Sequence, residues 1–307
     1  MIRTLPNSKS YLSGYKLFTL LYFIFLFAPL VVIMILAFND SMFPSLPWKG
    51  FTLGWFFGEG PEKIGIFYDK MNLRAITTSF KVAISVSILS TIVGTMAAFL
   101  FEQEDFKFKG ALYFLMIAPL VIPGVILGIS ILLFSTTVGL FFENTFGIDI
   151  KILRPGFWLI VFGQFSFITT IVTMVISARL RKFDRALEWA ASDLGANRFA
   201  VIWFITLQYL KPSIIGGAAI AFLMSFENFN TTTFLISSQP TLPIILYQQV
   251  RDGSTPVINA ISFILIVSAS IVAVANIYFR KKEEKIAQKK YRGRFSVLIW
   301  FKITNYY

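Results

Sequence analysis

Glu227 is the one carboxylate of this sequence that stands inside a long apolar segment, so it is the first candidate for contact with a charged group. An ionised carboxylate there costs on the order of several kcal/mol unless it faces a wet cavity or a cationic partner. Asn230 and Thr231 follow at three and four residues, the spacing of one helical face. The pattern predicts a polar stripe that faces a water-filled cavity, or a structural carboxylate paired with Lys or Arg of another subunit. The residues of this stripe are Ser225, Glu227, Asn228, Asn230, Thr231, Thr232 and Thr233.

A second polar set lies in the preceding apolar segment. Its members are Gln164, Ser166, Thr169, Thr170 and Thr173. Side chains of these types line pores, but they also form ordinary hydrogen bonds between membrane helices. Both interpretations stay open for this set. Small residues at Gly124, Gly128, Gly216 and Gly217 favour close helix packing instead.

The residue types that are missing exclude most enzyme chemistry. The chain has no Cys and no His, so disulfides, thiolate or imidazole metal sites and Ser/His or Cys/His catalytic pairs are excluded. It also lacks the glycine-rich patterns that hold nucleotide phosphates. We therefore predict no metal and no cofactor in this chain, and no catalytic role. Any ATP and Mg²⁺ that drive it are expected in a separate subunit.

The elements that position these residues are predicted to be membrane helices. Hydrophobic residues make up 56% of the chain, charged residues only 14%, and the mean hydropathy is +0.71. About 20 apolar residues cross a hydrocarbon core of about 30 Å. The prediction is an all-α membrane protein of about six transmembrane helices, the first retained rather than cleaved as a signal peptide. The predicted spans are 17–38, 82–101, 111–135, 157–178, 213–237 and 257–279.

The third predicted span is unusual because its apolar run continues to residue 142, too far for one straight helix. Pro119, Pro123, Gly124 and Gly128 lie within it and predict a break, a kink or a re-entrant portion.

Charge predicts the orientation. Most of the 28 Lys and Arg residues lie in the N-terminal arm (1–16), near Lys107, in the 179–212 loop and in the tail (280–307). Because cytoplasmic loops carry the excess of Lys and Arg, both termini and the 179–212 loop are expected in the cytoplasm, flanking a transmembrane domain at 17–279. The net charge of +12 fits this bias and anionic lipid headgroups near the tail, so nucleic-acid binding is not expected.

The 179–212 loop predicts two short helices joined by a turn. Apolar residues recur on one helical face, whereas charged and polar residues occupy the other. The apolar set is Leu187, Ala190, Ala191 and Leu194, and the polar set is Arg185, Glu188 and Ser192. Gly195 is expected to take a left-handed conformation, and a second helix from 197 or 198 to 207 is expected to stop before Pro212. Such a pair either transmits a push from a docked partner or lies passively at the headgroups.

The same loop resembles the signature loop of binding-protein-dependent ABC importer permeases. Ala190-Ala191, Asp193-Leu194-Gly195 and Ile205-x-Leu207 stand in the register of that motif. Trp189 occupies the usual Glu position, with Glu188 one residue earlier, and Gln208 replaces the usual Pro. The resemblance implies that the loop docks an ATPase. The implied docking residues are Arg185, Leu187, Glu188, Trp189, Ala190, Ala191, Asp193, Leu194, Gly195, Ala196 and Leu207.

Further motifs are similar to the spermidine/putrescine transport-system permeases, their C-type subunit above all, over roughly 29–280. They are Phe38-Asn39-Asp40-Ser41, Trp48-x-x-Phe51-Thr52-Leu53-x-Trp55, Asn72-x-x-Ala75-x-x-x-Ser79, Pro119-Leu120-Val121-Ile122-Pro123 and Ser225-Phe226-Glu227-Asn228-Phe229. Permeases for iron, thiosulfate and opines are built on related patterns. The resemblance leaves these solutes as alternatives to polyamines.

The resemblance implies a type I ABC importer permease in the bacterial plasma membrane. Its implied partners are two ATPase subunits, an extracytoplasmic substrate-binding protein and a second permease, expected from a different gene, with another copy of this chain as the open alternative. It also implies alternating access, with Glu227 in contact with substrate ammonium groups. The implied substrate path is Gln164, Ser225, Glu227, Asn228, Asn230 and Thr231. An ion-coupled secondary transporter and a membrane-embedded enzyme are the rival classes.

The first outer loop, 39–76, is expected to receive a partner or to form an interfacial aromatic belt. Its aromatic residues are Trp48, Trp55, Phe56, Phe57 and Tyr68.

Overall fold

The computed structural model describes residues 9–60, 63–253, 255–274 and 278. Within them, six helices are long and apolar enough to cross a membrane. This confirms the predicted all-α membrane class and the number of spans. The chain divides into two compact units. The first comprises the described residues of 1–68 and 253–307, and the second comprises 69–252. The predicted tail and the first eight residues of the predicted arm lie outside the described residues.

The first unit contains two membrane helices and a short folded segment. Helix α1 is Lys9–Leu36, and α12 is the span Val257–Val274. Between α1 and the second unit lie α2, Gly54–Phe57, and the strands β1, Glu59–Gly60, and β2, Lys63–Ile64. The strands pair antiparallel, with Glu59 opposite Ile64.

The second unit is a helical bundle built around α3, α6 and α9. Its elements are α3, Lys70–Gln103; α4, Lys109–Val121; α5, Gly124–Phe146; a 3₁₀ turn, Lys151–Leu153; α6, Phe157–Leu180; α7, Ala186–Asp193; α8, Arg198–Val201; a π-helical turn, Ile202–Thr206; α9, Leu207–Phe226; α10, Thr232–Leu235; and α11, Leu242–Arg251.

Close packing of α3, α6 and α9 forms the core of this unit. Val172 of α6 lies against Gly94 of α3 and Gly217 of α9, where added Cβ atoms would approach its Cγ1 to 2.9 and 3.2 Å. Ser87 donates a hydrogen bond to the carbonyl of Ala218 at 2.7 Å. The predicted packing role is therefore confirmed for Gly217, whereas an added Cβ at Gly216 would meet nothing within 4 Å.

The third predicted span is broken into two helices, as the sequence predicts. Helix α4 ends at Val121, Ile122 is extended with ψ 128°, and α5 starts after Pro123. Proline has no N–H to continue the helix and drives the preceding residue out of the helical region, so the break falls at Ile122–Pro123.

The fifth predicted span, 213–237, has wrong boundaries. The observed helix runs continuously over Arg198–Phe226, through Pro212, and ends just before Glu227. A membrane helix tolerates one proline when the rest of its backbone remains bonded, so Pro212 does not stop it. At the other end, the Asn228 side chain accepts from the backbone N–H of Thr232 at 3.2 Å, which begins α10.

Candidate functional site

The 179–212 loop has the predicted helix, turn and second helix. Gly195 lies just past α7 with φ +89°, in the left-handed region that costs an L side chain energy. Asn197 then accepts from the N–H of Ala200 at 2.8 Å and caps α8. The predicted end before Pro212 is wrong, because α8, the π-helical turn and α9 form one helix. The turn is therefore attached directly to a complete membrane span.

Much of the α7 surface is exposed in the part of the chain that the structure describes. No α7 residue is buried, and the exposed fractions are 52% for Leu187, 68% for Trp189 and 90% for Leu194. Ala190 is exposed, whereas Ala191 and Ala196 are half-buried. Large apolar side chains grouped on an exposed surface typically mark a contact with another molecule. The other predicted docking residues lie on or beside this helix, except Leu207, which starts α9.

Two glutamates at the end of α3, Glu102 and Glu104, bond to three arginines of the loop. We call these five residues the α3 clasp: Glu102, Glu104, Arg181, Arg185 and Arg198. Arg181 Nε lies 2.9 Å from both carboxylate oxygens of Glu102, and Arg185 donates to the Glu102 carbonyl at 2.9 Å. Arg198, beyond the Gly195 turn, donates to Glu104 at 2.8 Å. The carboxylate of Glu102 raises the pKa of the Arg181 guanidinium through its hydrogen bond and its charge. The clasp therefore ties both arms of the loop to α3.

Two further contacts join α7 and the end of α6 to the Arg198–Phe226 helix. Thr206, fully buried in the π-helical turn, donates a hydrogen bond to the half-buried carboxylate of Glu188. Arg179 donates to the carbonyl of Tyr209 at 3.1 Å, and its guanidinium lies 4.5 Å from the centre of that ring. Glu188, one residue before the usual motif position, therefore positions α7 in this chain.

A second site forms where two helix breaks meet, and we call it the interrupted-helix region: residues 122–124 and 227–231. Thr231 donates to the carbonyl of Gly124 at 3.3 Å. A Cβ on Gly128 would lie 2.8 Å from the Thr231 carbonyl oxygen. Helix α4 has 13 residues and a length of about 20 Å, so its break lies well inside a hydrocarbon core of about 30 Å. Non-helical backbone at that depth is tolerated only where protein or a wet cavity surrounds it.

Gln164 joins this region to α6. It is fully buried, donates to the Thr232 hydroxyl at 2.7 Å, and accepts from the Ser225 hydroxyl. Ser225, Thr231 and Thr232 are also buried. These side chains brace the two helix breaks through hydrogen bonds rather than lining an open surface in this structure. Thr169 and Thr170 of the same polar set likewise bond to Ser90 and to the Met116 carbonyl.

Glu227 and Asn230 are the exposed polar side chains of the region, and Asn228 is half-buried. The predicted helical stripe is wrong here, because α9 ends at Phe226 and Glu227 is its C-cap. Among the described residues, Glu227 has no ion-pair partner. The region therefore presents an unpaired carboxylate and an amide beside backbone that is not helical.

The folded segment of the first unit uses some of its aromatic residues internally. Trp55 donates to the carbonyl of Asn39 at 2.8 Å, and both Trp55 and Phe56 are buried. Asn39 in turn accepts from the N–H of Lys49 at 2.8 Å. Trp55 and Phe56 are thus part of the fold and are not available as a receiving surface. Of the five aromatic residues expected in a receiving surface, Trp48, Phe57 and Tyr68 are exposed. The predicted loop also ends earlier than residue 76, since α3 begins at Lys70.

Glu102 and Glu104 were missed by sequence reasoning. Two acidic residues next to the basic loop around Lys107 are the signal that could have found them. Their partners lie 79 and 94 residues further along the chain, and the spacing alone gives no reason to pair them.

Comparison with known proteins decides the family. The family described as "Binding-protein-dependent transport system inner membrane component" matches residues 90–284. This chain belongs to that family. The inner membrane component is thus a multi-pass permease subunit of an ABC importer, as the loop motif predicted.

Curated relatives cover most of this inner membrane component. The putrescine transport system permease protein PotI of Escherichia coli (strain K12) is 33% identical over 269 residues, covering 87% of this chain and 90% of the relative. The spermidine/putrescine transport system permease protein PotC of the same strain is 25% identical, covering 88% and 92%. PotC of Haemophilus influenzae is 26% identical, covering 86% and 95%.

Solved structures agree on the fold. A bacterial ABC transporter involved in the import of the acidic polysaccharide alginate superposes with a TM-score of 0.65 at 14% identity, covering 91% of this chain and 99% of that one. A bacterial alginate ABC transporter in complex with its alginate pentasaccharide-bound periplasmic protein gives 0.63 at 18%, covering 86% and 92%. At these identities the likeness establishes the permease fold and not the substrate.

Proposed function

We propose that this chain is the permease subunit of an ATP-driven, binding-protein-dependent importer that moves polyamines such as putrescine and spermidine by alternating access. The observation that carries the proposal is Glu227, an exposed carboxylate of the interrupted-helix region with no ion-pair partner among the described residues. A cationic substrate supplies the counter-charge that such a carboxylate needs at membrane depth. The relatives PotI and PotC, named for putrescine and spermidine, support the same substrate class.

The interrupted-helix region is suited to transient contact with a diamine. Glu227 attracts an ammonium group, and the exposed Asn230 adds an amide oxygen that accepts its hydrogen bonds. The Asn228 amide oxygen already accepts from the N–H and the hydroxyl of Thr232 and holds the start of α10. The buried network around Gln164 keeps the two helix breaks together while the exposed side chains remain available. Because the substrate must also dissociate, its affinity for the site must stay moderate. One carboxylate with neutral neighbours binds a diamine less tightly than several buried carboxylates would.

Motion enters the permease through the 179–212 loop in this proposal. Two ATPase subunits, which hold the ATP and Mg²⁺, dock against α7 and its exposed Leu187, Trp189 and Leu194 on the cytoplasmic side. The α3 clasp and the continuous Arg198–Phe226 helix then pass the displacement to the bundle. Both termini lie in the cytoplasm. A second permease from a different gene completes the path, and an extracytoplasmic binding protein delivers the substrate. The chain itself performs no bond chemistry.

The proposal is tested by uptake of labelled putrescine into proteoliposomes that contain the complete transporter, with binding protein outside and ATP inside. Glu227→Gln removes the charge and keeps the shape, so uptake should fall by about tenfold or more, since lost charge-assisted hydrogen bonds are each worth roughly 1.5–3 kcal/mol. Asp105→Asn is the matched control. Asp105 is exposed in the connection between α3 and α4, so this variant should transport normally.

Assembly of the Glu227→Gln transporter separates substrate contact from a structural role. If the carboxylate binds substrate, the purified complex keeps all its subunits and its melting temperature while uptake falls. Loss of the second permease from the purified complex would instead show that Glu227 pairs with a cation of that subunit. Unchanged putrescine uptake in a fully assembled complex would refute the role of Glu227.

A further inference from the structure

A concave polar groove lies along the first turns of α3, at the end of the second unit opposite α7. It has a volume of about 720 Å³ and runs between α3 and residues 238–240. We call it the α3 groove. Its polar lining residues are Lys70, Arg74, Thr77, Thr78, Lys81, Ser238 and Gln239. None of the residues that form its wall is acidic.

The three cations of the α3 groove have no counter-charge in the chain as described. Lys70, Arg74 and Lys81 are all exposed, and none of them takes part in an ion pair within the described ranges. Like charges held on one face of a helix repel one another and create a local positive potential. The groove is therefore an anion-attracting surface.

Depth along α3 places this groove beyond the hydrocarbon core. Helix α3 has 34 residues, about 51 Å, whereas about 20 residues cross the core. The exposed face changes character just after Lys81, where exposed isoleucines replace the cations; these are Ile84, Ile88 and Ile92. Counted from the α3 clasp, the apolar part ends near Lys81, so Arg74 and Lys70 project from the membrane. In the orientation of the proposed function, on which this inference rests, they project outside the cell.

We propose that the α3 groove is a docking surface for acidic side chains of the extracytoplasmic substrate-binding protein. A lipid headgroup layer fits it poorly, because Lys70 and Lys81 are separated by about 16 Å along the helix axis, whereas lipid phosphates lie in one plane. The polyamine substrate is itself cationic and is repelled by the groove. A protein surface with carboxylates at several heights matches both the concave shape and the spread of charge.

Docking at this groove also gives the importer a kinetic advantage. Complementary charge raises the rate of encounter between two proteins and fixes their orientation more than it raises the final affinity. The binding protein would be drawn to the outer end of α3, the same helix that the clasp attaches to the 179–212 loop. Docking of the loaded binding protein and movement of the 179–212 loop would then both displace α3, from its two opposite ends.

The test measures ATP-driven putrescine uptake by the complete transporter in nanodiscs or proteoliposomes against binding-protein concentration. In the triple variant Lys70→Gln, Arg74→Gln and Lys81→Gln, the half-saturating concentration should rise by about tenfold or more, with the maximal rate retained, because charge complementarity acts mainly on encounter. Raising the salt concentration should increase the half-saturating concentration of wild type and leave that of the variant nearly unchanged, since salt screens exposed charges. Arg74→Gln alone should give a smaller shift. Its matched control, Lys151→Gln, removes an exposed cation outside the groove and should give none.

A cross-linking measurement identifies the occupant directly. The chain has no Cys, so Thr77→Cys provides a unique site on it for a photoactivatable label. Capture of the binding protein supports the proposal, and capture of lipid or of the second permease alone overturns it. An unchanged half-saturating concentration in the triple variant also overturns it. Failure of wild type to transport putrescine at all would instead refute the proposed function, so the two failures are distinguishable.

Discussion

The two ends of α3 differ in whether their charged side chains form ion pairs with described residues of the chain. At the α7 end, Glu102 and Glu104 are bonded to arginines of the 179–212 loop. At the other end, Lys70, Arg74 and Lys81 have no acidic partner within the described part of the chain. Paired charges can position segments of the same chain, whereas unpaired ones attract a different molecule. Glu227, which makes no ion pair with any residue that the structure describes, belongs with the second group.

The strongest test of this contrast is reversal of a charge in the α3 clasp. Arg181→Glu places two carboxylates together at the end of α3, so the loop should detach and uptake should fall by about tenfold or more, within the usual range of coupling energies. Uptake and ATPase rate are measured on the same proteoliposomes, and ATP hydrolysis should persist without transport. The double variant Glu102→Arg, Arg181→Glu should recover part of the uptake.

Asp105→Lys is the control for that reversal. It reverses one charge of an exposed pair with Lys109, and exposed pairs of this spacing contribute little. Uptake should stay near that of wild type. Full uptake by Arg181→Glu would mean that the clasp does not transmit motion.

A smaller effect is expected from the turn between the two arms of the clasp. Gly195→Ala introduces a side chain at φ +89°, which costs about 1–2 kcal/mol, although nothing lies within 4 Å of the added Cβ. Uptake should fall about three- to tenfold, because strain of that size shifts the population of the turn. Gly216→Ala adds the same methyl group to open space on a helix and should be neutral. Equal uptake by the two variants would show that the turn's conformation is unimportant.

The smallest effect is expected inside the loop, where one neutral donor is removed. Thr206→Val deletes the hydrogen bond to the Glu188 carboxylate, and a hydrogen bond to a charged group is worth about 1.5–3 kcal/mol. The melting temperature of the purified transporter should fall slightly, and uptake should stay within about twofold of wild type. Ser192→Ala, whose hydroxyl bonds only the Glu188 carbonyl of its own helix, is the matched control. A loss of uptake as large as that of Arg181→Glu would place the main attachment of α7 at Thr206 instead of at the clasp.

Much of the fold could be predicted because its causes are local. A membrane helix bonds its own backbone, so long apolar runs locate spans without knowledge of their neighbours. The break at Pro123 and the turn at Gly195 were predicted for the same reason. Boundaries failed where the environment decides, as at Pro212, which the continuous Arg198–Phe226 helix includes.

The candidate sites were predicted less completely. The loop motif located α7 and its exposed side chains, but it gave no indication that Glu188 bonds to Thr206. Gln164 and Ser225 were expected along the substrate path and are instead buried in one hydrogen-bond network. Periodicity predicted a helix through Glu227. In the structure α9 ends at Phe226, and the Asn228 side chain accepts a hydrogen bond from the N–H of Thr232, where α10 begins.

The sequence by itself determined the membrane class, the six spans and the family motif of the 179–212 loop, because hydropathy and short-range spacing are properties of neighbouring residues. Only the tertiary structure decided which charges are paired. Glu102 and Arg181 are 79 residues apart and meet because α3 and α6 pack side by side. The ion pairs of the clasp, and the lack of ion pairs for the α3-groove cations among the described residues, follow from that packing, since a charge is satisfied only by what the fold places within reach of it.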